Sequence, residues 1–383
     1  MSPFFISAKS SSQKDSLTSV SYNHIAARQS RFLDNPNTNT QLRFELWKHG
    51  KFAWVIPMGI TNQDIYKQLA LVLALSASTE VLAVECGDTI SKPTTLTQDL
   101  SCELSTANPV ALTIVGPLGS LNMAGFELGC VSLDPTQTEF YAVEFQGTSA
   151  ILSNGQLTNC TNGIITSSSG FHSISNIVID NAQRNAILLF GDGNTIINVD
   201  ITGPATSTIF DGIEVFGDYN VISRSSVLGG GDEGIEILGD YNNISFTTVS
   251  GFSEDGFEVD GNFTFISNSI IENNVETGAI LNGNFTHMSQ NSVTGNGQAG
   301  INLSGASNST IADNIVANNG LLALSDNGGI IVTDPDSMDN RIIGNTLTGN
   351  QQFDLADPFD PTCSGTNLWK GNQFTTSNPT CLE

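Results

Sequence analysis

The stretch GGDEGIEILGDYN (Gly230–Asn242) has a near copy on each side, IFDGIEVFGDYN at Ile209–Asn220 and SEDGFEVDGNFT at Ser253–Thr264. Gly212, Gly234, Gly256, Gly278 and Gly300 follow one another at intervals of 22 residues. A fixed period of that length marks a solenoid, in which each repeat adds one coil to a stack. Within the unit, Ile213 and Val215 flank Glu214, Ile235 and Ile237 flank Glu236, and Phe257 and Val259 flank Glu258. This alternation belongs to a strand with one buried face. Ile222, Ile244, Ile266 and Met288 form one apolar row, and Val227, Val249, Ile271 and Val293 form another.

Gly217, Gly239, Gly261, Gly283 and Gly305 recur on each coil and predict a turn in which glycine takes positive φ. Asn268, Asn291, Asn314 and Asn345 fall in turns, where stacked amides can bond one another along the axis. Short strands, turns rich in Gly and Asn, and no apolar period of 3.6 predict an all-β chain, a parallel β-helix of about 22 residues per coil. The pattern loosens backward through Ala186 and Gly163, and resumes at Gly329 after the insertion Leu321–Asn327.

A stack needs covered ends, because a terminal coil exposes its apolar section and unpaired strand edges. Residues 353–383 leave the period and carry Cys363, Trp369 and Cys381, which reads as a stapled C-terminal cap. CGDTISKPTTLTQDLSC (Cys86–Cys102) followed by LNMAGFEL (Leu121–Leu128) reads as an opening cap and first coil, so the β-helix is expected over residues 84–352. With its Cys-Gly-x-Thr-Ile opening, Asn-Gly-rich coils and Cys-bearing tail, the sequence resembles right-handed parallel β-helix proteins of the pectate-lyase-like superfamily. That scaffold hosts many activities, so the resemblance implies the fold and, more loosely, chemistry on polysaccharides.

All six cysteines lie after an apolar run, LALVLALSA (Leu69–Ala77). An even count fits disulfides in an oxidising compartment. The expected pairs are Cys86–Cys102, Cys130–Cys160 and Cys363–Cys381, although spacing alone does not settle connectivity. The run is too short to span a bilayer. With Met58 as a start, Lys67 before the run and Val81-Leu82-Ala83 for cleavage, residues 58–83 read as a signal peptide for secretion. Residues 1–57 then read as a misplaced gene start or a disordered extension. The other reading is a buried helix in an N-terminal domain.

Charge divides the chain in the same place. After Ala83 only Lys92, Arg184, Arg224, Arg341 and Lys370 stand against 33 acidic residues, a formal charge of −28. Such a surface excludes nucleic acid and anionic membranes as partners. A secreted monomer facing a cell-wall glycan or another acidic polysaccharide is expected. Six Asn-x-Ser/Thr sequons, at Asn159, Asn243, Asn262, Asn284, Asn302 and Asn308, permit glycosylation.

The carboxylates concentrate on three coils. Glu214, Glu236 and Glu258 form one column, Asp211, Glu233 and Asp255 a second, and Asp232 and Glu254 a third. Stacked coils put equivalent residues about 4.8 Å apart. Unit charges at that distance repel by about 0.9 kcal/mol in water, a tolerable cost on a wet surface. One reading is therefore a solvated face that blocks sheet aggregation. A second is calcium, a hard cation that wants six to eight oxygens, with Glu214, Glu236, Asp255 and Glu258 as ligands. In pectate lyases calcium bridges acidic side chains and an acidic sugar chain. A third is carboxyl catalysis, in which crowding raises one pKa to make an acid.

FDG (Phe210–Gly212) and GDEG (Gly231–Gly234) resemble the Asn-Thr-Asp and Asp-Asp motifs of polygalacturonases, which makes Asp211, Asp232 and Glu233 candidate catalytic carboxyls. The Gly-His-Gly and Arg-Ile-Lys motifs of those hydrolases are missing, and no lysine lies between Lys92 and Lys370. Lyases of the superfamily often use Arg or Lys as base. Arg184 occupies the column of Phe210, Asp232 and Glu254 and is the candidate here; Arg224 lies in the column of Phe246, Asn268 and Gln290. The Trp-Ile-Asp-His and Arg-x-Pro motifs of pectate lyases and the Asp-Pro-His-Asp site of alginate epimerases are absent. Tyr219, Tyr241, Phe263 and Phe285 form an aromatic column. Tyr219 and Tyr241 are candidate sugar-stacking residues, while the free exchange of Tyr for Phe reads as an interior stack. Two functions follow: a calcium-assisted lyase of pectate-like polysaccharide, or a non-catalytic glycan-binding or surface scaffold.

Overall fold

The computed structural model describes residues 83–132, 139–203, 211–322 and 327–382, with five strands nearer the N-terminus. The chain divides into two compact units, Met1–Leu82 and Ala83–Glu383. In the first, Phe4–Ser7, Ser19–Tyr22, Ile25–Arg28, Leu42–Trp47 and Lys51–Ile56 form one mixed sheet. The segment read as a signal peptide lies, apart from Ala83, outside the described residues.

The second unit is a parallel β-solenoid. One 13-stranded sheet runs its length, from Thr89–Ile90 through Ile213–Val215, Ile235–Ile237 and Phe257–Val259 to Ser377–Asn378. Every pairing in it is parallel and joins one coil to the next. A 20-stranded sheet takes two short strands from each regular coil, such as Val221–Ser223 and Ser226–Leu228. Among the described residues there is no helix, and none long and apolar enough to cross a membrane.

Alternation explains the section of each coil. Ile213, Val215, Ile222 and Val227 point inward and are fully buried, and their counterparts on later coils stack directly upon them. The apolar rows Ile222–Met288 and Val227–Val293 are therefore the core of the solenoid. Gly212, Gly234 and Gly256 lie where this core is tightest. A Cβ on Gly212 would meet Val227 Cγ1 at 2.2 Å and Gly234 O at 2.4 Å, so side-chain volume rather than φ demands glycine there.

Four of the five turns depart from expectation. Gly305 takes positive φ, at 107°, but Gly217, Gly239, Gly261 and Gly283 do not; a Cβ on Gly239 would stand 2.1 Å from Gly217 O of the preceding coil. The left-handed residue comes two positions later, at Tyr219, Tyr241, Phe263 and Phe285, with φ of 56–58°. Side-chain ladders on either side of it hold the turn. Asp218 N–H donates to Asp192 Oδ1, Asp240 N–H to Asp218 Oδ1 and Asn262 N–H to Asp240 Oδ1, each at 2.7–2.9 Å. Inside the coil, Asn194 and Asn220 donate their N–H groups to Asn220 Oδ1 and Asn242 Oδ1. The Gly-Asp-Tyr-Asn motif is thus a turn device, which accounts for Asp218 and Asp240 without a ligand.

A second buried ladder includes Asn291, Asn314 and Asn345. Asn314 Oδ1 accepts both the N–H and the Nδ2 of Asn291, and Asn314 Nδ2 donates to Met288 O and Asn345 Oδ1. Asn268 is not part of it; it is exposed, with φ of 53°, one residue before Ser269, which takes the ladder position. Of the sequon asparagines, Asn302 is buried and accepts a hydrogen bond from Thr333 Oγ1.

All three expected disulfides form, Cys86–Cys102, Cys130–Cys160 and Cys363–Cys381, and no cysteine is free. They point to an extracellular or periplasmic setting. Residues after 353 extend both ladders, since Leu355–Ala356 pairs with Ile330–Ile331 and Leu368–Lys370 with Arg341–Ile343. Trp369 lies on the Ile342 row and closes the core.

Asn314→Ala strands the donors of Asn291 and the acceptors of Met288 and Asn345. It should cost about 3 kcal/mol in denaturant unfolding. Asn314→Ser should cost less, because Ser269 already fills this place on another coil. Equal, negligible losses for both variants would show that the ladder contributes nothing to stability.

Candidate functional site

The 13-stranded sheet turns every second residue outward, and its middle coils gather the carboxylates. Strand pairing sets Leu188, Glu214, Glu236, Glu258 and Ile280 side by side in one outward row. A second row runs Asn185, Asp211, Glu233, Asp255 and Thr277, fixed by bonds from Ala186, Gly212, Gly234 and Gly256 N–H to the carbonyls of the following coils. The third holds Asp232, Glu254 and Glu276, linked by Glu254 N–H to Asp232 O and Glu276 N–H to Glu254 O.

Three of these groups converge. Carboxylate oxygens of Asp211, Asp232 and Glu233, all half-buried, lie within 4.8 Å of one another. Amides hold the margins. Asn185, buried, donates through Nδ2 to Asp211 Oδ2 at 2.9 Å and Glu214 Oε2 at 2.7 Å. Asp255 Oδ1 accepts Thr277 N–H at 2.6 Å, and Asn282 Nδ2 reaches Asp260 Oδ1 at 2.7 Å. Asn185 escaped the sequence reading because it stands 26 residues before Asp211, off the 22-residue count.

Burial and crowding push protons onto this face. Burial, then the charges of Asp232, Asp211, Glu254 and Glu258, raise Glu233 to about 9. Glu236 rises to about 7, first by burial and then by Glu214 and Glu258. Asp255 also rises to about 7 through burial, partly offset by the Thr277 N–H. Burial and then Asp232 raise Asp211, while burial leads at Glu214 and Glu258. Glu254 is raised first by its hydrogen bond with Asp232. Neighbouring carboxyls therefore share protons near neutral pH, as like charges at such spacing must.

A divalent cation is the other way to neutralise the face. Calcium binds oxygen at about 2.4 Å, so two ligands on opposite sides of one ion are about 4.8 Å apart. The spread of Asp211, Asp232 and Glu233 fits that size, and three carboxylates offer up to six oxygens. Of the four residues assigned to a metal from sequence, Glu214, Glu236 and Glu258 line up beside this trio, and Asp255 stands next to Glu233 in its row. The groups that meet at ion-sharing distance are those the sequence reading had assigned to catalysis.

Arg184 precedes the patch. It is half-buried, its N–H bonds Thr161 O, and among the described residues it makes no ion pair. Residue 210, between it and Asp232 in their column, lies outside the described residues. Arg224 is exposed, at φ of 52°. His172 is buried away from the patch, and burial lowers it to about 4.

The aromatic column is not an interior stack. Tyr219, Tyr241 and Phe285 are 58, 41 and 46% exposed. The rings of Tyr219, Tyr241, Phe263 and Phe285 stack at 4.6–4.8 Å and within 6° of parallel. The left-handed backbone turns each ring outward while the following residue enters the coil. Left-handed geometry costs about 1 kcal/mol per residue, and an aromatic pair returns about as much. Stacking covers most ring faces, so Tyr219 and Tyr241 offer a sugar chiefly their edges and the outer face of Tyr219.

The family model described as "Right handed beta helix region" matches residues 211–380. The unit Ala83–Glu383 has the right-handed parallel β-helix fold. Its solved structural neighbours share the fold at low identity. The mannuronan C-5 epimerase AlgE6 A-module of Azotobacter vinelandii superposes with a TM-score of 0.57 at 13% identity, over 83% of this chain and 94% of that one. The Dettilon tailspike protein gives 0.53 at 12%, over 76% of this chain and 61% of its own. The tailspike of E. coli bacteriophage HK620, solved with a pentasaccharide, gives 0.52 at 11%, over 75% and 58%. This β-helix thus spans about three fifths of either tailspike. No curated protein sequence matches it.

The raised carboxyls set a pH dependence. Glu233, Glu236 and Asp255 hold protons in the folded chain that the unfolded chain releases near pH 4, so their contribution is complete below that and is lost as pH rises through about 7 and then about 9. The metal-free protein should melt at lower temperature at about pH 9 than at about pH 5. Glu233→Gln should remove the upper part of the decline. A flat or rising melting temperature would contradict this charge assignment.

Proposed function

We propose that this β-helix acts on an acidic polysaccharide at the Asp211–Asp232–Glu233 cluster, as a calcium-assisted lyase. The convergence of those three carboxyls on adjacent coils carries the reading. Structural neighbours named for a mannuronan C-5 epimerase and for a pentasaccharide complex support a glycan as the ligand class. A strongly acidic protein can hold a polyanion only if something neutralises the face between them, and protons or calcium meet that need.

Asp211, Asp232 and Glu233 are the residues that would hold the ion. Bound there, calcium would draw a uronate carboxylate and acidify the adjacent carbon–hydrogen bond. Asn185 fixes Asp211 and Glu214 in place from the preceding coil. Elimination would pass the proton of that carbon to a base, for which Arg184 is the candidate, two coil steps or about 10 Å from Asp232, and would break the glycosidic C–O bond, the leaving oxygen taking its proton from water. The row of Glu214, Glu236 and Glu258 keeps the face acidic on either side of the cluster.

A scaffold is the second reading. It is favoured by the hydrogen bonds that already engage Asp218, Asp240, Asp255 and Asp260, which give part of the acidic surface a structural role.

Incubation with polygalacturonate and alginate, with calcium or with chelator, separates these readings. Elimination gives an unsaturated uronate and a rise in ultraviolet absorbance that depends on calcium. Asp232→Asn and Asp211→Asn should each lower that rate by about a hundredfold or more. New reducing ends without the absorbance would mean hydrolysis, with Glu233 as acid. No cleavage, with calcium still raising the melting temperature, would leave the scaffold.

A further inference from the structure

The aromatic column has a gap. Ser173 pairs with Thr195 and Thr195 with Val221, so the residues two places before them, Phe171, Gly193 and Tyr219, follow one another in that column. Main-chain bonds give the same register, with Phe171 N–H donating to Asp192 O and Gly193 N–H to Asp218 O. All three share the left-handed backbone of the column, at φ of 58–68°. The column therefore runs Phe171, Gly193, Tyr219, Tyr241, Phe263 and Phe285, and one rung carries no side chain.

From Tyr219 onward each ring lies on the next at 4.6–4.8 Å, and the faces between them belong to the fold. Across the bare rung no such contact forms. Phe171 is 64% exposed, and among the described residues no ring contact joins it to Tyr219. Tyr219 is more exposed than Tyr241, which has a ring on both sides, so the Tyr219 face toward Gly193 is open. Two coil steps set the backbones of Phe171 and Tyr219 about 9.6 Å apart. A ring held between two others needs about 3.5–4 Å on each side, or about 7–8 Å in all. Phe171 narrows the gap by reaching over Gly193, where a Cβ would stand 2.8 Å from its ring.

The rim of the gap is polar. Asp192 is exposed in the same turn, and its Oδ1 accepts Asp218 N–H at 2.9 Å. Its second oxygen accepts no hydrogen bond among the described residues. Tyr219 adds a hydroxyl at the edge of its ring. Two apolar faces with acceptors around them suit a pyranose, whose C–H faces are apolar and whose hydroxyls project from its equator. The negative rim repels a uronate and favours a neutral unit.

We propose that Phe171, Gly193 and Tyr219 form a seat for one neutral pyranose of a glycan, stacked between the two rings with its hydroxyls on Asp192. The seat lies on the turn between the two sheets and shares no residue with the carboxyl cluster. It would hold a glycan whether or not that cluster cleaves one, and only its class of ligand rests on the polysaccharide reading above. Gly193 creates the seat, because any side chain on that rung would fill it.

Calorimetric titration of the full chain with neutral hexasaccharides of β-linked glucose, mannose and galactose tests the seat. The wild type should bind at least one of them. Phe171→Ala and Tyr219→Ala should each weaken that binding by about tenfold, and Tyr219→Phe by much less because the ring remains. Gly193→Tyr should complete the ladder, abolish binding, and keep or raise the melting temperature. The same backbone already carries Tyr219 and Tyr241, and the exposed Phe171 ring can swing aside. Asp232→Asn should leave binding of these neutral sugars unchanged. Retained binding in Gly193→Tyr would overturn the seat. If that variant does not fold, retained binding in Phe171→Ala, whose ring is on the surface, would overturn it equally. No binding of any hexasaccharide by the wild type would also overturn the seat, and would spare the reading of the carboxyl cluster, which is tested by cleavage of polygalacturonate and alginate. Binding of free tryptophan in place of every sugar would overturn the assignment to a glycan.

Discussion

The amide and carboxylate ladders between coils are the interaction on which the rest of this structure depends. The regular strands are only three residues long, too short to define a register by backbone pairing alone. Asn220, Asn242, Asn291, Asn314 and their neighbours each bond the main chain of the preceding coil, so a slip of one residue would strand a buried polar group at every step. The penalty repeats along the axis, and equivalent residues therefore stack in columns. Apolar columns become the core, and everything pointing outward is repeated at the spacing of β-strands.

That repetition makes the acidic face both unavoidable and costly. Once Glu214, Glu236 and Glu258 share a register, their charges are about one strand apart, and no lysine or arginine of the same coils pairs with them among the described residues. The fold meets the cost with raised pKa values and with amides from Asn185 and Asn282 at the margins. Stability therefore depends on pH through the same carboxyls.

The aromatic ladder shows the same logic applied to strain. Tyr219, Tyr241, Phe263 and Phe285 sit in a backbone region that bulky residues avoid, and each is held there by an Asp or Asn ladder on one side and an Asn or Thr on the other. Stacking offsets the strain. It also covers the ring faces that a sugar would need, which makes the exposed rings a structural column more than a carbohydrate platform.

The sequence by itself determined the coil. Glycines at a constant interval, inward Ile and Val rows and paired cysteines each reflect a local rule that repeats, and repetition can be read without coordinates. Even the three carboxylate columns followed from counting. Tertiary structure decided what counting could not reach. Gly217, Gly239, Gly261 and Gly283 serve close approach to the preceding coil and not φ, which only Gly305 of the five requires, because only the stacked backbone shows which carbonyl a Cβ would strike. Asn185 joins the acidic row from a coil whose spacing departs from 22 residues, so the period hides it. Whether an outward carboxyl meets another depends on rotamer and burial across coils, which brought Asp211, Asp232 and Glu233 together and left Asp255 on Thr277. Register is a one-dimensional property and is written in the chain; convergence is three-dimensional and arises only when the coils are stacked.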